Sequence, residues 1–462
     1  MWSVWIAGPL AVLMALAAGY GIYELLRFLA SKEATSQKPA SVHEVIRTTL
    51  AVLAFVAAVL TGVYAYRKQR LTEGDAHRAD DNQLAERYTT AADQLGHDEA
   101  AVRLAGVYAM ARLADDWTEQ RQVCIDVLCA YLRMPYEPDP QVTDTYKEGE
   151  REVRHTVIRV IRDHLQPQAP TSWSACNFDF TRATFDGGDL SGSQFRGTVS
   201  FNSAGFTRGT VSFDGAEFTR GTVSFRRAWF TGAEVSFQGA GFTGGTVSFY
   251  EAEFGDGTVY FKGARFASGE ISFDRAKVTG AEVSFRGAKF TGGTVSFHRT
   301  EFGDGRVSFH SAGFTRGTVS FHGARFTGAE VWFHRARFTG AEVSFYHAWF
   351  TGGTVSFYRT GFTRGPVSFH RARFTGAEVD FNSAGYIGGT VSFSEAEFTR
   401  GAVSFTGAQF TGAEVDFHGA GFTGGTVSFH YAGFTGGTVT FEDVRGTPSD
   451  WGPFQPPADS AG

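Results

Sequence analysis

Seven histidines, His298, His310, His322, His334, His370, His418 and His430, each follow a phenylalanine in a frame of twelve residues. Imidazole ligates transition metals and titrates near neutrality, so evenly spaced histidines could build a metal ladder. If two twelve-residue copies make one coil, His298 and His322 stand one strand spacing apart, as do His310 and His334. The tenth position of the frame could supply carboxylates, but it alternates irregularly between Thr, as at Thr210, and Glu, as at Glu234. No carboxylate pair is held in a pocket, so the histidines read as solvent-facing and no metal is assigned.

Other residue types invite chemistry and decline it. Recurrent Thr-Val-Ser triplets could form the flat threonine array of an ice-binding surface. Threonine fills the tenth position in only ten of twenty copies, however, and Arg306, Pro366, Ala402 and seven glutamates interrupt it. Gly-Gly-Thr strings read as corners, because no GxxxxGK[ST] element precedes a helix. Cys124, Cys129 and Cys176 form neither a CxxC pair nor a Cys/His cluster, which argues against zinc and against a disulfide framework. His97, His155 and His164 lack metal-ligand spacing and read as solvated or capping residues. Nowhere do a nucleophile, a base and an orienting group converge. No enzymatic activity, cofactor or small-molecule substrate is expected.

The elements that carry these residues are set by composition. Among 462 residues there are 46 Phe and 57 Gly, and such bias marks a repeat. From Phe201 the chain repeats every twelve residues, twenty times, without an insertion. Phe holds the first position throughout; the sixth is Phe except at Val278 and Tyr386; the eleventh is Val except at Ile271; the fourth is Ala except at Thr300 and Thr360. Extended segments point residues i and i+2 to one face, so Ala216 with Phe218, and Val223 with Phe225, point inward together. A period of 3.6 would scatter these positions around a helix.

The stretch leading into the repeat spaces Phe180, Phe185, Leu190 and Phe195 five apart, with a small residue two before each of the last three. This resembles the pentapeptide-repeat family, over residues 175–445. The resemblance implies an all-β right-handed quadrilateral β-helix, a solenoid with four faces per coil. After Phe195 the steps alternate five and seven, so four faces take about 24 residues, and ten coils rise roughly 48 Å. Twelve residues per coil is the rival geometry, with little room for its rings.

Upstream, the chain changes character. Residues 4–23 carry no charge, and a second apolar run, 48–66, ends at Arg67, Lys68 and Arg70. Two such runs predict a transmembrane helical hairpin over 1–69, bordered by Trp2, Trp5, Tyr20, Tyr23, Tyr64 and Tyr66. Residues 70–170 predict an α-helical, HEAT-like adaptor, with helices starting near Asp98, from Glu119 to Leu132, and from Glu150 to Leu165. Residues 171–445 are the repeat, and 446–462, with Pro448, Pro453, Pro456 and Pro457, a disordered tail.

The functional expectation follows. The lipid bilayer is one partner, through two N-terminal spans, and an unidentified protein the other. The chain reads as a bacterial-type, multi-pass cell-membrane protein with its repeat on the cytoplasmic side, a non-catalytic rigid scaffold for protein–protein interaction. Trp229, Trp332 and Trp349, facing outward, are possible contact points, though no binding residue is assigned. Some family members imitate duplex DNA and inhibit a topoisomerase, which needs an acidic rod. Residues 171–445 carry 24 acidic and 24 basic residues, and the whole chain only −6, which argues against mimicry and against nucleic acid as a partner.

Overall fold

The computed structural model describes residue 17 and residues 19–25, 27–29, 31–32, 42–138, 141, 146–267 and 269–454. Two compact units divide the chain, Met1–Glu86 and Arg87–Gly462. In the first, the described residues between 17 and 32 are helical, and a helix begins at Val42; it ends at Leu95, within the second unit. Gly19 lies against Leu53, where an added Cβ would stand 3.0 Å from a leucine methyl. Ile46–Gln69 is one stretch long and apolar enough to cross a bilayer, and Phe55 and Leu60 on it are exposed. It contains the expected second span. The first, about 4–23, lies mostly outside the described residues, so these carry one candidate span rather than two. The basic cluster at 67–70 ends the apolar run but not the helix.

In the second unit, helices Ala100–Asp116, Arg121–Arg133 and Glu150–Leu165 bury Val107, Met110, Leu113, Ile125, Leu128, Val157 and Ile161. The second begins two residues later than its sequence suggests, because Trp117 leaves helical backbone and Thr118–Gln120 forms a 3-10 turn. Two arginines sit inside this packing. Arg103 donates to the His97 carbonyl at 3.0 Å and lies 3.3 Å from Glu150, while Arg154 donates to the Tyr131 and Leu132 carbonyls. A buried guanidinium is tolerated only with such partners.

From Phe178 the chain winds a parallel β-solenoid of about 11 turns. Phe206 pairs with Phe230, Phe230 with Phe254 and Val223 with Val247, so one coil takes 24 residues and two copies. The twelve-residue alternative is thereby excluded. The first coil is shorter, since Phe185 pairs with Phe206 and Phe195 with Phe218, as the five-residue steps of the lead-in require. Each coil supplies four short strands, such as Glu217–Phe218, Thr222–Ser224, Trp229–Phe230 and Glu234–Ser236. Near the C-terminus the seven-residue step itself becomes extended, giving strands Arg373–Asp380, Glu397–Ser404, Gln409–Asp416 and Gly433–Thr440.

The inward positions are those the pattern assigns. Phe213, Ala216, Phe218, Val223 and Phe225 are at most 1% exposed. Their rings file along the axis: Phe201, Phe225, Phe249 and Phe273 stack at centroid distances of 4.7, 4.8 and 4.7 Å. Neighbouring files meet edge to face, as Phe225 does Phe237 at 5.6 Å. Each ring contributes about 1.5–3 kcal/mol by burial, and each ring pair about 0.5–1.5 kcal/mol more. Outside the core, the third position of every copy takes a left-handed backbone, φ from 52° to 68°, whether it is Gly215, Ser311, Arg335 or Tyr431. Its N–H reaches the coil above, as Arg299 N donates to the His322 carbonyl at 2.9 Å. The serine ending most copies accepts from the N–H two residues on, as Ser248 does from Tyr250 at 3.3 Å.

Both ends are covered. Helix Glu150–Leu165 and the end of Arg121–Arg133 lie against the first coil. At the other end Trp451 packs on Phe441 at 4.9 Å and Phe454 on Phe429 at 5.3 Å. Residues 446–454, assigned to the tail from sequence, therefore fold over the last rings; 455–462 lie outside the described residues.

Candidate functional site

Aromatic cores fill the solenoid, so recognition chemistry falls to its outside and to its N-terminal junction. Two copies per coil stack all odd copies (those beginning Phe201, Phe225 and so on) on one side and all even copies on the other. On the odd side His298, His322, Tyr346 and His370 form a continuous file, with centroid distances of 4.8, 4.8 and 5.5 Å. On the even side His310, His334 and Tyr358 follow at 6.4 and 5.9 Å. The paired stacking matches the spacing argument. Among the described residues no group of three His, Cys, Asp or Glu side chains could hold a metal. Burial, then the neighbouring Arg286 and Arg335, lower the His310 pKa; burial, then His298, His347 and Arg299, lower that of His322.

Trp229 and Trp349 are exposed outward on the odd side, as expected. Trp229 lies across Gly205, whose missing side chain makes room for the indole, and the Arg373 guanidinium covers Trp349 at 4.7 Å. Trp332 is half-buried, flat against His334 and beneath Arg306.

Charge is distributed unequally between the two sides. The odd side neutralises itself: Arg227 meets Glu251 at 2.8 Å, Arg306 meets Glu330 at 3.0 Å and Arg371 meets Glu395 at 2.8 Å, each pair 24 residues apart. The even side does not. Over the five coils 249–368 its copies hold nine Lys or Arg against Glu270 and Glu342 alone, whereas the odd copies hold five cations and eight carboxylates. Of those nine, Arg265 pairs with Glu217. Arg286, Lys289, Arg316, Arg335, Arg337 and Arg364 are exposed and make no ion pair among the described residues. Along the file Lys289 registers with Gly313, Gly313 with Arg337 and Arg337 with Gly361. At Gly313 and Gly361 an added Cβ would meet nothing within 4 Å, so the cations flank open, flat backbone. Sequence reasoning missed this strip because it summed charge along the chain. Sorting residues by copy parity would have found it.

The N-terminal junction corrects two histidines. His155 Nε2 lies 2.9 Å from Asp186 Oδ1, and His164 stacks on Trp173 at 3.9 Å with Nε2 3.1 Å from Asp115. Both are bonded and partly buried rather than solvated; His97 alone keeps a local turn role, accepting from the Glu99 N–H at 3.0 Å. Asp186 also accepts from Tyr136 at 2.8 Å and from Arg151 at 2.9 Å. Burial would raise its pKa, but hydrogen bonds from His155 and Tyr136 and the Arg151 charge hold it at about 2. This is a latch joining helices to the first coil, reinforced where Arg154 donates to the Thr184 carbonyl at 3.3 Å. A cavity of about 370 Å³ opens beside it, lined by Leu95, Val127, Tyr131, Met134 and Tyr136. Burial lifts the Cys124 and Cys129 thiols to about 11 and about 12, so neither is a ready nucleophile.

Residues 208–253 match the family described as pentapeptide repeats (9 copies). No curated protein and no solved structure matches the chain.

Proposed function

The chain is a pentapeptide-repeat protein, and on that premise we propose that it is a membrane-anchored, non-catalytic scaffold that presents the long sides of its solenoid to protein partners. One observation carries the reading. The core is filled by stacked rings from Phe180 to Phe441, so specificity resides in side chains displayed on a stiff exterior. The right-handed, four-sided winding implied by the family belongs to this reading, and the four strands per coil support it. So does anchoring through Ile46–Gln69 and the segment before it. The DNA-mimic alternative requires acidic sides, and the even side is cationic.

Two measurements test the proposal. Full-length protein should stay with membranes after alkaline carbonate extraction and be released when 46–69 is replaced by a polar linker. Protein cross-linked in native membranes should retain a specific partner that Trp229→Ser with Trp349→Ser loses. Purified protein that inhibits a topoisomerase at equimolar concentration would instead favour the mimic.

A further inference from the structure

We propose that the even side of coils 249–368 is a docking face for an anionic bilayer surface, laying the solenoid against the membrane that the same chain enters. The inference rests on the anchored reading above.

Three features of the face support it. Six of its nine cations make no ion pair among the described residues. On the odd side arginines are spent on glutamates one coil away, whereas Arg286, Lys289, Arg335 and Arg337 have no carboxylate to answer them. Unneutralised guanidinium and ammonium groups on one face repel one another, and an anionic counter-surface relieves that repulsion. The face is also flat: Gly313, Gly361 and Gly385 occupy the register between and beyond the cations with open space above each. A plane of headgroups fits such a surface, where a protruding peptide would need pockets. Across five coils it extends about 20 Å, several Debye lengths being unnecessary because contact is direct. Finally, Ile46–Gln69 offers a membrane to the same polypeptide, so docking is an intramolecular event at high effective concentration. Basic clusters beside a membrane helix gain from anionic lipid in this way. The two acids on the adjoining file, Glu270 and Glu342, leave the face strongly positive.

The test uses full-length protein in nanodiscs of phosphatidylcholine alone or with 30 mol% phosphatidylglycerol. Cys176→Ser removes the one native thiol that is not fully buried. An environment-sensitive fluorophore is then placed at Gly361→Cys on the even side or at Thr354→Cys on the odd side. The expected result is at least a twofold emission increase at 361 in the anionic discs only, reversed by 0.5 M KCl and lost in Lys289→Glu with Arg337→Glu. The same pair changed to Gln should lose it partly, and circular dichroism checks that each variant stays folded. Position 354 should be silent. An equal response in neutral discs, an equal response at 354, or a response at 361 elicited only by added duplex DNA or an acidic peptide overturns the proposal. Protein absent from the discs altogether would refute the anchored reading first; protein present but unresponsive at 361 refutes docking alone.

Discussion

Phe321→Ala should break the solenoid's cooperativity at its centre. The ring is fully buried. Phe297 and Phe345 stack on its two faces, each at 4.7 Å and 2° from parallel, and Phe309 and Phe333 meet it edge to face at 6.3 and 5.7 Å. Truncation of a buried Phe costs about 3–5 kcal/mol, depending on how far the site collapses. Collapse is restricted here, because the backbone is pinned by Phe321 N to the Ser344 carbonyl at 2.6 Å and by Ala324 N to the Phe321 carbonyl at 3.0 Å. Two lost stacks then add to the transfer loss, and the upper end, about 5 kcal/mol, is expected. Solenoid stability is a sum of unit and nearest-neighbour terms, so weakening one tier uncouples the coils on either side. Guanidinium unfolding should be followed by circular dichroism and by fluorescence of Trp229 or Trp451, each kept as the sole tryptophan of the repeat. The parent should show coincident transitions and the variant two, separated by probe, each with a smaller denaturant slope. A single transition shifted by less than about 1 kcal/mol would refute the stacked-ring core.

Three further outcomes are expected. Ser383→Gly, at a left-handed corner with φ 56°, should stabilise by about 0.5–1 kcal/mol in denaturant titration, since a Cβ is disfavoured there. Val278→Phe with Thr300→Ala should join the interrupted file between Phe254 and Phe302 and raise stability by about 1–2 kcal/mol, whereas Val278→Phe alone should gain less, because Thr300 borders the same small cavity. The folded state holds His310, His322 and His334 below the usual imidazole pKa, so the unfolded chain takes up protons first. Their contribution is full above about pH 6.5 and is lost as pH falls further; Tm should drop between pH 7 and pH 5, and changing all three to Asn should flatten that slope.

Much of the architecture could be read from the chain. Phe, Ala and Val recur at fixed positions, and the five-plus-seven step arithmetic yields a 24-residue coil. Those signals are strong because burial admits few residue types. The corner conformation was hidden for the opposite reason: an exposed left-handed position accepts Arg227, Glu251 or Tyr431 at modest cost, so glycine at seven of the twenty sites did not announce a rule. The cationic face was hidden because residues adjacent in space are 24 apart in sequence. At the N-terminal junction, His155 read as solvated or capping and Asp186 carried no signal, because only the contact between helix and first coil pairs them.

Two copies per turn also govern how such a chain can change length. Most copies offer the core the same Phe, Ala and Val, so loss or duplication of one such twelve-residue copy would leave the packing satisfied. It would, however, carry everything downstream half a revolution around the axis and interleave the cationic and self-neutralised sides. Only gains or losses of 24 residues preserve the pattern of its outer sides. A shortened variant lacking residues 309–332 should therefore keep its outward chemistry, while one lacking 309–320 should fold and lose it.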